Sequence, residues 1–104
     1  MYDVLPELYR EVAARIIEQV GRRGYYNGSF DMEWEDVLCH VVLSAVVYRH
    51  EEQYPEGRMA SLISDIVPVW WEFHTFIDGQ EVINNFSFNE MREYILINVL
   101  SDEE

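Results

Sequence analysis

The chain has 104 residues and a net charge of −13, from 20 acidic residues against seven basic ones; its hydrophobic fraction is 49% and its aromatic fraction 14%. That length suits one domain, the apolar fraction excludes a disordered chain, and no segment has the ~18 apolar residues of a membrane span or the pattern of a signal peptide. All seven basic residues are arginine, which excludes a P-loop lysine and a Schiff-base lysine and leaves no basic footprint for nucleic acid.

The first element predicted is a helix. Leu5, Leu8, Tyr9, Val12, Ala13, Ile16, Ile17 and Val20 recur at i, i+3, i+4 spacing and make one apolar stripe. Asp3 is placed to cap its start, and Pro6 fits only in a first turn. Glu11 with Arg15, and Glu18 with Arg22, are four apart and suited to pair on the wet side. Gly21 or Gly24 ends the helix.

The period then changes to two. Phe30, Met32 and Trp34 alternate with Asp31, Glu33 and Glu35, the pattern of a half-buried strand. A turn at Glu35 and Asp36 leads into a second strand over 37–50. Its odd positions, Val37, Cys39, Val41, Leu43, Ala45 and Val47, form an apolar face, and its five valines favour strand over helix. Pairing Trp34 with Val37 sets Met32 opposite Cys39, Phe30 opposite Val41 and Asp31 opposite His40.

Residues 51–58 contain Tyr54-Pro55-Glu56-Gly57 and read as a turn. The third strand, Met59–Ile77, breaks phase: Leu62 and Ile66 are apolar at even positions, Val69, Trp71 and Phe73 at odd ones. A bulge at Pro68 accounts for the break, because proline has no N–H to give a ladder. Asp78-Gly79 is a two-residue hairpin signal, and a fourth strand follows over 80–86. Ser87 and Glu90 make a capping box for a last helix with Phe88, Met91, Ile95 and Val99 on one side. The reading is therefore a single α+β domain over 1–104, in the order α-β-β-β-β-α. It has a helix over about 4–21, four strands within about 25–86, a helix over about 88–100 and an acidic tail at 101–104. The two helices cover one face of a four-stranded antiparallel meander, and the other face is partly wet.

The segments Ile66-Val67-Pro68-Val69-Trp70-Trp71-Glu72-Phe73 and Asn85-Phe86-Ser87-Phe88-Asn89-Glu90-Met91 resemble a group of short uncharacterised acidic bacterial proteins. The resemblance implies an acidic cytoplasmic α+β protein and carries no activity, cofactor or catalytic residue.

The residues themselves offer little chemistry. His40, His50 and His74 form no metal-ligand spacing, so no metal or cofactor is expected. Cys39, the only cysteine, excludes an intrachain disulfide, fits a reducing cytoplasm and reads as an inert core thiol. Asp31, Glu33 and Glu35 form a carboxylate ladder at about 7 Å spacing. Neighbouring Trp70 and Trp71 must face opposite sides of the sheet. Trp70, in step with Leu62 and Ile66, is expected in the core and Trp71 on the uncovered face.

The expected function is non-enzymatic. It is binding of another protein, or of a second copy as a homodimer, through an aromatic sheet face of Tyr48, Val69, Trp71 and Phe73. One alternative is an acidic nucleic-acid mimic that inhibits a basic DNA-binding protein. Another is a small hydrolase-like or ligand-binding protein using Asp31, His40 and Glu72, which requires a pocket of ~300 Å³ or more. Neither direct nucleic-acid binding nor a membrane is expected.

Overall fold

The segments of period two pair as one antiparallel sheet, and the segments of helical period lie across one side of it. The computed structural model describes residues 1–57 and 59–101. Helix α1 is Pro6–Val20; strands β1 (Tyr25–Trp34), β2 (Val37–Gln53), β3 (Met59–Ile77) and β4 (Gln80–Val82) follow, then helix α2 (Phe88–Ser101). The strands lie side by side in chain order, as a meander. No helix among the described residues is long and apolar enough to cross a membrane.

Tight turns set the registers. Glu35, with φ of 55°, and Asp36 close the first hairpin so that Trp34 pairs with Val37. Met32 then lies opposite Cys39, Phe30 opposite Val41 and Asp31 opposite His40, as the sequence pattern requires. Asp78 (φ 53°) and Gly79 (φ 79°) close the last hairpin, where two consecutive left-handed residues match the twist of the flanking strands.

Several boundaries differ from expectation. β4 ends at Val82 rather than near 86, because its neighbours turn to other partners. Asn84 Nδ2 donates to the Phe73 carbonyl at 3.0 Å and to Thr75 Oγ1 at 3.2 Å, and Tyr2 N donates to the Ile83 carbonyl at 2.7 Å. Asp3 does not cap α1. Leu5 holds the cap position without a side-chain bond, and Asp3 Oδ1 instead accepts from Asn85 Nδ2 at 2.6 Å. Gly21, at φ 59°, ends α1, a conformation that favours glycine. The pair Glu11–Arg15 forms, with 3.7 Å between Oε1 and Nε. Ser101 is the last residue of α2 rather than part of a tail; the tail residues 102–104 and the packing of Val99 lie outside the described residues.

The core lies between the sheet and both helices. The odd residues of β2 from Val37 to Val47 are buried with Leu8, Val12 and Ile16 of α1 and Met91 and Ile95 of α2. A void of only about 10 Å³ among Ile16, Leu43, Trp71, Phe88 and Met91 marks where the two helices and the sheet meet. The molecule measures 52 × 25 × 19 Å. Its length comes from β2 and β3, which run on past the start of β1 at Tyr25 as a two-stranded arm.

Two irregularities in β3 decide which residues enter the core. Ser44 pairs with Trp70 but Ala45 pairs with Pro68, so Val69 is an extra residue. Tyr48 pairs with Asp65 but Arg49 with Ile63, so Ser64 is a second one. Each extra residue reverses the alternation along β3. On the helix side, Thr75, Phe73 and Trp71 therefore continue as Pro68 and Ile66, and then as Ile63.

Candidate functional site: the uncovered face of the sheet

The reversal at Val69 corrects two placements. Phe73 is 7% exposed and stacks on Phe86 with ring centroids 4.1 Å apart. Trp71 packs against Phe86 at 5.5 Å and Phe88 at 6.2 Å, so it too belongs to the helix side. Neither lies on the uncovered face. Trp70 does, and is 60% exposed. A bulge was legible at Pro68, but the even phase expected of Leu62, Ile66 and Trp70 is broken twice, at Ser64 between Leu62 and Ile66 and at Val69 before Trp70. Tyr48 and Val69 are exposed as expected, Tyr48 on the uncovered face opposite Asp65 and Val69 at the bulge itself.

The uncovered face is built from the even residues of β2 and their partners. Tyr25, Val46 and Val67 form one cross-strand row, and Ser44 and Trp70 sit in the next. Tyr25, Tyr48, Val67 and Trp70 are all exposed there. The Tyr25 and Ser44 hydroxyls are 2.5 Å apart, which holds the Tyr25 ring down against β2.

A polar row crosses the same face. His40 Nδ1 meets Asp31 Oδ1 at 2.5 Å. The His40 ring stacks on that of His74, its partner on β3, with centroids 6.2 Å apart. His74 Nε2 meets Glu72 Oε1 at 2.7 Å, and His74 Nδ1 meets Glu81 Oε2 at 2.8 Å. The second oxygen of Glu72 accepts the Trp70 indole N–H at 2.8 Å. A carboxylate only accepts, so an imidazole held between two of them donates from both nitrogens and is a cation. The hydrogen bond to Glu72, then that to Glu81, pushes the His74 pKa above its ordinary 6.5. The bonds from His74, then from Trp70, hold Glu72 below its ordinary 4.5.

The sequence pairing of Asp31 with His40 is present, and Glu72 shares their face through His74. Periodicity alone did not reveal His74, Glu81 and Trp70 as members of the row. The β2–β3 register is the missing signal, since it sets His74 beside His40 and Trp70 beside Ser44. The expected carboxylate ladder is shorter, because Glu35 lies in the turn beyond the strand.

No protein-family model, curated protein or solved structure matches the chain.

The row offers little for catalysis. Cys39 is fully buried on the opposite face, and burial pushes its thiol pKa up to about 11. It neither meets His40 nor ionises near neutrality. The depression at the hairpin end, lined by Glu33, Asp36, Leu38, Phe76 and Asp78, holds about 240 Å³ and includes none of Asp31, His40 or Glu72. Among the described residues no three His, Cys, Asp or Glu side chains converge as metal ligands do. What the geometry provides is a broad face with a fixed aromatic ring at its centre and carboxylates beside it.

Proposed function

We propose that this chain is a non-enzymatic protein-interaction module and that the uncovered sheet face is its binding surface. The observation that supports this is the exposure of Trp70, 60%, on a face shared with exposed Tyr25, Tyr48 and Val67, while both helices occupy the other side. A large aromatic side chain left in water next to branched apolar neighbours is the usual anchor of an interface. Its ring is already oriented by Glu72, so little side-chain freedom is lost on binding. The buried, unpaired Cys39 fits the cytoplasmic setting that belongs to the same reading.

Light scattering on the eluting protein, over a range of concentrations, tests association with a second copy; retention of partners on the immobilised chain tests association with another protein. The reading expects one of the two to be lost in Trp70→Ala while the melting temperature stays nearly unchanged. A strict monomer whose retained partners are the same with and without Trp70 contradicts it.

A further inference from the structure

The chemistry around Trp70 narrows the partner. The indole N–H donates to a carboxylate at 2.8 Å, and this polarises the ring so that its face becomes more negative. An electron-rich, exposed indole face is the best side-chain platform for a cation. His74 supplies one positive charge between two carboxylates, Glu72 and Glu81, so the row stays net negative, and Asp31 and Glu33 on the same face add to that. The arginines whose contacts are described already have partners other than the Trp70 ring. Arg15 pairs with Glu11, Arg92 with Asp65, Arg10 lies over Tyr94, and Arg23 and Arg49 bond carbonyls at the end of α1. The chain as a whole carries −13 and steers cations towards itself.

We propose that the uncovered face binds an arginine-bearing segment of a basic protein, with a guanidinium stacked on the Trp70 ring beside Glu72 and the neighbouring apolar stem over Val46 and Val67. This rests on the reading of that face as an interaction surface and specifies its occupant. Arginine is favoured over lysine because the planar guanidinium both stacks on the ring and bonds a carboxylate. A second copy of this chain is disfavoured as occupant, since it brings another −13.

The test is a titration of the full ¹⁵N-labelled chain with a hexa-arginine peptide, following the indole N–H resonances of its three tryptophans. Hexaglutamate serves as the like-charged control. The proposal expects a saturable shift of the resonance that Trp70→Ala removes. It also expects affinity about tenfold weaker in Trp70→Ala, partial recovery in Trp70→Phe, and a several-fold loss in Glu72→Gln. Equal affinity of wild type and Trp70→Ala would overturn it, because diffuse charge and not the ring would then hold the peptide. Sedimentation of both proteins without peptide separates this outcome from failure of the broader reading. Self-association that Trp70→Ala abolishes, with no peptide response at Trp70, upholds the face as an interface and overturns the cationic occupant. Absence of both overturns the occupant alone, and the face loses its support only if the partners retained on the immobilised chain are also the same with and without Trp70.

Discussion

The two faces of this sheet are made by the same strands and differ in almost every physical respect. On the helix side, Phe73 stacks on Phe86, Trp71 packs against the same ring at a tilt, Cys39 and Leu43 are excluded from water, and little space is left between sheet and helices. On the other side, His74 sits between two carboxylates, His40 beside one, and a tryptophan lies open to solvent. Trp70 and Trp71 are neighbours in the chain and face opposite sides of the sheet, Trp70 60% exposed and Trp71, against the Phe86 and Phe88 rings, 37%. One extra residue, Val69, sets which of them is which.

The largest expected effect comes from Phe73→Ala, which removes the ring stacked on Phe86. Its midpoint in urea unfolding followed by circular dichroism should fall, and an unchanged midpoint would contradict the place given to Phe73 on the helix side. The expected cost is about 3–5 kcal/mol. For a chain this short that is a large share of the total stability.

The smallest effect lies on the uncovered side and depends on pH. The raised pKa of His74 makes its contribution complete below its unfolded value of 6.5 and lost as pH rises through the folded value. The lowered pKa of Glu72 makes its contribution complete above 4.5 and lost as pH falls through the folded value. Together they stabilise most between 4.5 and 6.5. The stability difference between wild type and His74→Gln should therefore be greater at about pH 5.5 than at about pH 9. Urea midpoints at the two pH values measure it, and a difference that does not change with pH contradicts the charged state assigned to His74. Its size is modest because His74 is 32% exposed and its partner Glu72 38%.

Much of this was legible in the residues. The heptad-like stripe of α1, the alternation of β1 and β2 and the two tight turns lead to the element order, the first hairpin register and the Asp31–His40 pair. What was not legible arises from interactions across the sheet. Periodicity measures phase within one strand, and the phase of β3 is interrupted twice, at Ser64 and Val69. Only the pairing with β2 shows how many residues each interruption adds. The same holds for Phe86, which reads as strand four but lies over the core between Tyr9 and Phe73. His74 and Glu81 meet because β3 and β4 are joined by a two-residue turn, a contact that no spacing along the chain displays.

The paired variants Trp70→Ala and Trp71→Ala, unfolded side by side in urea, test the assignment of the two faces most directly. Trp71 packs against Phe86 and Phe88 and should cost about 1–3 kcal/mol when truncated. Trp70 touches the core little and should change stability by no more than about 0.5 kcal/mol. The reverse order, with Trp70→Ala the more destabilising, would mean that the two faces have been exchanged and that the surface assigned to binding is the core.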